Sequence, residues 1–240
     1  LDDSLSSAHT TLGDVKFYAD WDWLGAEREY KRAIELNPND AEAHRMYSVF
    51  LSAMGRAEEA LVEVRIAQSL DPVSLFASSS SGWAFYFARQ FDRAIEQCRK
   101  TLELEPNDVG AHSCLGYAYM AKKDYARALA ECKKAAELSN DEPLRMEGLG
   151  LAYGMVGNKT EAQKVFAELQ AKSKLQYVPP YFLATICVGL GQKDKAFALL
   201  EKGYAERDAY LTWLKVEPAL DPLRGEPGFQ DLQRRVGLPQ

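Results

Sequence analysis

Three prolines set a ruler along this chain. Pro38, Pro72 and Pro106 stand 34 residues apart, each with a leucine two positions earlier (Leu36, Leu70, Leu104). A further copy falls in phase at Leu138, with Asn140 where the proline would be. The small residues Ala60, Ala94, Ala128, Ala162 and Ala196 keep the same interval. A period of this length repeated along a chain is the mark of a stacked array of supersecondary units. Proline suits the exit of a helix, because it has no N–H to donate and disfavours helix at the residue before it.

Residues 109–142 contain the clearest copy. Leu115-Gly116, Tyr119, Ala128 and Ala135 read as two helices whose backbones pass closely at Gly116 and Ala128. Small residues permit that approach, since the interaxial distance depends on the side chains at the crossing. Asp124, between the halves, is a suitable N-cap for the second helix. On the same pattern, hairpins are expected over residues 4–38, 41–72, 75–106, 109–142 and 143–174, with a degenerate sixth over residues 181–207. The first has one extra residue: Gly13 to Ala26 spans 26 − 13 = 13, against 128 − 116 = 12 for Gly116 to Ala128. That residue is placed within Ala19-Asp20-Trp21-Asp22, where the tryptophans are read as packing the hairpin corner. Ser78 to Ser81 stand where apolar residues are expected and are read as a loosely packed turn. Phe229, Leu232 and Val236 lie at helical spacing in the tail, with Gln230, Gln233, Arg234 and Arg235 opposite, as a cap on a solenoid end requires.

A chain of 240 residues that is 47% hydrophobic can bury a large apolar surface, which argues against disorder. Its 29 basic and 35 acidic residues leave a charge of −6, a poor match for nucleic acid. The longest apolar run, residues 181–191, is too short to span a bilayer. The chain starts at Leu1 without a signal-peptide pattern, so an excised domain or processed fragment is expected. Cys98, Cys114, Cys132 and Cys187 form no C-x-x-C pair and are read as small buried hydrophobes in a reducing, cytoplasmic setting. His9, His44 and His112 each follow an alanine and precede the crossing Gly or Ser by four residues. Three equivalent positions spread along an array cannot converge on one metal, so packing is their expected role. Asp2-Asp3 and Asp20/Asp22 are too few for a calcium loop. No nucleotide-loop, metalloprotease or nucleophile-elbow motif occurs, so no catalytic residue, metal ligand or cofactor is assigned.

The order Leu-Gly-x-x-Tyr…Ala resembles the tetratricopeptide repeat (TPR) over residues 4–207, best over residues 41–166. The resemblance implies an all-α solenoid, a right-handed superhelix of antiparallel helix pairs. Five repeats over residues 4–174, a degenerate sixth over 175–208 and a capping segment over 209–240 are expected. It also implies a protein-interaction scaffold, with the first helix of each repeat lining a concave groove. Residues 20–30 and the tail Asp221-Pro222-Leu223-Arg224, Phe229 and Gly237-Leu238 are similar to the C-terminal TPR region of bacterial multidomain signalling proteins. Chaperone-binding relatives clamp a carboxylate with Lys and Asn; Arg45/Val49, Ser79/Trp83, Ser113/Tyr117 and Glu147/Leu151 stand at those places and depart from the pattern.

Helical spacing about each crossing residue puts Arg45, Val49 and Ser52 on one face, and likewise Ser79, Trp83 and Tyr86. Ser113, Tyr117 and Met120 follow, then Glu147, Leu151 and Gly154. With Phe76, these form the expected partner groove, centred on Trp83, Tyr86, Tyr117 and Met120 beside Arg45. Its expected occupant is an apolar-aromatic segment of a protein. The alternatives are a small ligand in the groove of a sensory module, or self-assembly.

Overall fold

Asp40, Ser74 and Asp108 stand 34 residues apart, and each side chain accepts hydrogen bonds from backbone N–H groups at the start of a helix. Glu142 comes next in phase and makes no such bond; Pro143 opens that helix instead, where no N–H is needed. Asp22, Asp124 and Asn158 cap second helices on the same interval. The computed structural model describes residues 5–239, and the repeat period appears there as six antiparallel helix pairs. They are α1 (Ser6–Asp14) with α2 (Trp23–Leu36), α3 (Ala41–Ala53) with α4 (Ala57–Leu70), and α5 (Leu75–Phe87) with α6 (Phe91–Leu104). Then come α7 (Val109–Ala121) with α8 (Tyr125–Leu138), α9 (Pro143–Met155) with α10 (Lys159–Lys172), and α11 (Pro180–Gly189) with α12 (Lys193–Ala205). Two 3-10 turns, Ala209–Trp213 and Pro218–Leu223, lead to α13 (Pro227–Val236). The expected start at Ser4, the pair Asp2-Asp3 and the last residue, Gln240, lie outside the described residues.

The crossings are as tight as the sequence implies. A Cβ on Gly116 would fall 2.4 Å from Cys132 Sγ, and one on Gly82 would fall 2.3 Å from Cys98 Sγ. All four cysteines are free and buried, and burial pushes the thiols of Cys114, Cys132 and Cys187 up. Between the helices of each pair the chain turns through the left-handed region at Trp21, Gly55, Arg89, Lys123, Gly157 and Gly191, every 34 residues. Only three of these are glycine; the others hold a conformation that costs an L-residue roughly 1 kcal/mol.

The extra residue of the first hairpin is taken up by a π-helical turn, Val15–Asp20, which continues α1. A π-turn accommodates one inserted residue without ending the helix. Trp21 and Trp23 do more than pack their own corner. The Trp21 ring lies 5.9 Å from that of Tyr204 in α12, under the guanidinium of Arg207 at 4.9 Å. Trp23 Nε1 faces Gly237. The first pair therefore meets the last, and Phe17, Tyr30, Leu200, Phe229 and Leu232 belong to one buried cluster.

His44 binds Glu63 at 2.6 Å through Nδ1 and the Pro38 carbonyl at 3.1 Å through Nε2. His112 repeats this with Glu131 at 2.6 Å and Pro106 at 3.0 Å. His9 meets Glu29 at 2.8 Å. In the third pair the same two positions hold Ser78 and Gln97, bonded at 3.2 Å; in the fifth they hold the buried apolar residues Met146 and Val165. The histidines thus join the two helices of a pair. The serines are not loosely packed: Ser78, Ser79, Ser80 and Ser81 bond Thr101, Asp108, Arg45 and Gln68, each in a different element or cap. These hydroxyls replace apolar contact with directed bonds.

Candidate functional site

Residues 209–223 run across the C-terminal ends of the first helices. Lys215 Nζ bonds the Met54 carbonyl at 3.1 Å, Tyr86 donates to Glu217 at 2.5 Å, and Arg89 grips Asp221 at 2.6 and 2.7 Å. Leu211, Leu214, Leu220 and Leu223 are fully buried, which makes this strap part of the interior. Trp213 stacks on Phe87 with ring centroids 4.4 Å apart, and Phe17 meets it edge-on. Strap and first helices together border a half-open cavity of about 410 Å³.

The cavity wall is aromatic. Trp83 lies 5.4 Å from Tyr117, edge to face, and Phe182 lies 4.5 Å from Tyr210 in the same manner. Tyr18, Phe87, Tyr181 and Trp213 complete the wall. Into this lining come two carboxylates, Glu147 of α9 and Glu217 of the strap, 2% and 6% exposed. Burial pushes Glu147 up to about 7, against hydrogen bonds from Thr185 and Tyr117 that favour its charged form. The Thr185 hydroxyl lies between Glu147 Oε1 and the Phe182 carbonyl. Its single proton can go to only one of them, so both contacts are hydrogen bonds only when Glu147 is protonated and donates to the Thr185 oxygen. Burial likewise raises Glu217, opposed by the Tyr86 hydroxyl and the Ala219 N–H. Arg45 and Arg145 also line the space. Arg45 binds Glu42 through Nε at 2.7 Å and Nη2 at 2.5 Å, while Arg145 Nε lies 3.9 Å from Glu142 and has no hydrogen-bond partner.

Of the residues expected in the groove, Arg45, Val49, Trp83, Tyr117 and Glu147 converge on this cavity, with Ser52 beside them. The others do not. Tyr86, Met120 and Leu151 are buried and, with Pro218 and Ala219 of the strap, line a small separate void. Ser79 bonds Asp108, the cap of the next first helix, and Ser113 turns back to the Val109 carbonyl. Phe76 is 78% exposed near the start of α5 and does not line the cavity. Sequence reasoning missed Tyr181, Phe182, Tyr210, Trp213 and Glu217. The last three lie after the final hairpin, where the 34-residue period gives no phase; the aromatic run Tyr210-Leu211-Thr212-Trp213 is the one local signal.

Two family models, both described as tetratricopeptide repeat, match residues 80–143 and 29–62. The chain carries tetratricopeptide repeats. None of the curated proteins compared matches it. Its TPR solenoid resembles solved structures of low sequence identity. PilW, described as a widely conserved type IV pilus biogenesis factor, is 18% identical, with a TM-score of 0.60 over 83% of this chain and 92% of that one. PilF of Pseudomonas aeruginosa is 16% identical, with a TM-score of 0.57 over 95% and 96%. A thermophilic TPR protein of Thermus thermophilus is 18% identical, with a TM-score of 0.56 over 97% of each. These likenesses establish the fold. TPR proteins serve in general as protein-interaction scaffolds, which is the class of function the repeats support. No helix among the described residues is long and apolar enough to cross a membrane.

Proposed function

We propose that this TPR protein is a non-catalytic scaffold that receives a short segment of a protein partner at the concave face. The convergence of Arg45, Val49, Trp83, Tyr117 and Glu147, from four successive repeats, on one cavity carries this reading. Because the strap covers Tyr86, Met120 and Leu151, the site is a socket for an anchoring side chain rather than a trough for a long peptide. Aromatic residues at the centre of an interface are enriched among binding hot spots. A place within a larger bacterial signalling or regulatory protein is part of this proposal. Four free buried thiols support a reducing, cytoplasmic setting.

The test is selection of a displayed peptide library on the wild-type protein and on Trp83→Ala, with unfolding curves recorded for both. Peptides sharing one anchor residue, retained by wild type and lost by a folded Trp83→Ala, are expected. Enrichment that does not depend on Trp83, or no enrichment, refutes the socket. The aromatic lining and the volume of about 410 Å³ favour a second reading, a sensory module with a small ligand in the same place.

A further inference from the structure

Glu147 and Glu217 are buried acids that make no ion pair among the described residues; Arg145 and Arg224 favour their charged forms only through space, and burial outweighs them. The hydrogen-bond partners of Glu147 are the hydroxyls of Tyr117 and Thr185. Those of Glu217 are the Tyr86 hydroxyl and the Ala219 N–H, both on Oε1; Oε2 makes no hydrogen bond among the described residues. Arg224 reaches Glu217 only at its backbone carbonyl, 2.9 Å away. Burying a carboxylate without a counter-charge is costly, and the burial-driven rise of both groups expresses that cost. Interiors tolerate such groups when something else supplies the compensation.

The surroundings indicate which charge that is. Aromatic faces carry negative potential and attract cations, the more so when water is excluded. Trp83, Tyr117, Phe87 and Trp213 present rings to the same space as the two acids. The arginines lining the cavity face glutamates of their own: Arg45 is held by Glu42, and Arg145 lies beside Glu142. Both of those glutamates are more than half exposed and their arginines 19% and 21%, whereas Glu147 and Glu217 are buried and make no ion pair among the described residues. A volume of about 410 Å³ falls within the range of small-molecule pockets.

We infer that the cavity binds a small organic cation, a protonated or quaternary amine on an apolar or aromatic body, between the carboxylates of Glu147 and Glu217. The rings surround the ligand, and its charge supplies the counter-ion that the fold leaves out. The inference deepens the small-ligand reading by naming the ligand's class. It is independent of whether a protein segment binds, because a free amine needs only the cavity.

The probes are benzyltrimethylammonium and phenethylammonium, with phenethyl alcohol and phenylacetate as neutral and anionic counterparts. Binding to the full chain is followed by calorimetry and by tryptophan fluorescence, to which Trp83 and Trp213 of the cavity wall contribute. Saturable binding of both cations is expected, with the alcohol and the carboxylate at least about tenfold weaker. Glu147→Gln and Glu217→Gln should each weaken the cations and leave the alcohol unchanged. The wild-type comparison needs no variant, so it remains decisive if a variant fails to fold. Equal affinity for the alcohol, preference for phenylacetate, or no cation binding at millimolar concentration overturns the proposal. So does a lysine-containing peptide that binds when the free cations do not, which would make the cavity a side-chain socket. Peptide selection that fails while the cations bind would refute the segment reading alone.

Discussion

Replacing Glu147 with glutamine should change how stability depends on pH more than it changes the structure. The carboxyl ionises near 4.5 in its ordinary state and at about 7 in the fold, chiefly because burial disfavours the charge. Between those values the folded chain holds a proton that the unfolded chain has released. Stability from this group is therefore fully present below about pH 4.5 and is lost as pH rises through about 7. A tenfold gap in proton affinity is about 1.4 kcal/mol, so the interval corresponds to roughly 3 kcal/mol. Glutamine is isosteric: its carbonyl can accept from Tyr117, and its amide can donate to the Thr185 hydroxyl, which then serves the Phe182 carbonyl. Glu147→Gln removes the titration without opening a void. Urea unfolding of both proteins across about pH 4 to pH 8.5 should give curves that diverge by roughly 3 kcal/mol, with the variant relatively more stable at the alkaline end. Glu27 contributes with the opposite sign: despite burial, hydrogen bonds from Lys31, Arg56 and Tyr47 lower it to about 2. That contribution is common to both proteins and cancels in the difference. A difference that does not vary with pH would refute the assignment of a buried, uncompensated acid to position 147.

Gly116→Ala should destabilise by about 1–3 kcal/mol, since the new methyl meets Cys132 Sγ at 2.4 Å, and Cys132→Ala should restore much of the loss. No rescue in the double variant would mean that the backbone, not the sulfur, sets the limit. Lys123→Gly should stabilise by at most about 1 kcal/mol, as an exposed residue leaves a left-handed turn; a lower midpoint in thermal unfolding would contradict it. His112→Met and Glu131→Val should each cost about 1–3 kcal/mol by orphaning a partner, whereas together they copy Met146 and Val165 and should cost less than their sum. Additive losses in a double-mutant cycle would show that the pair is not a unit. Deleting residues 209–240 should lower the unfolding midpoint and cause association, because Tyr86 and Leu151 lose their cover; an unchanged, monomeric truncation seen by light scattering would refute the strap's role.

The paired helices were legible because their signals are local. Leu-Gly at the crossing and Ala twelve residues later depend only on near neighbours, and the period supplies the phase. That phase is also why Trp83, Tyr117 and Glu147 were placed on one face, and why all three line one cavity. The strap was illegible for the converse reason. Glu217 meets Tyr86 across 131 residues, and Asp221 meets Arg89 across 132, distances over which no pattern in the sequence speaks. By period alone the tail is a cover for an exposed end, which leaves Tyr86 and Met120 facing an open groove. The left-handed turns at Arg89 and Lys123 are hidden too, since neither residue type announces a positive φ. The partner of each histidine was recoverable: Glu63 and Glu131 follow His44 and His112 by 19 residues, the distance across one helix pair.

In an open solenoid each unit touches only its neighbours, so stability is close to a one-dimensional sum and an array can lengthen or fray from its ends. The contact of Trp21 with Tyr204 and Arg207 gives this array a periodic boundary. An added or excised unit would shift Tyr204 and Arg207 away from Trp21 and part that contact. A break anywhere along the circuit then also removes the support that Asp20 and Trp21 receive from Arg207, across 187 residues in the case of Asp20. The first and last pairs, each propping the other at this corner, are expected to come apart together rather than one before the other.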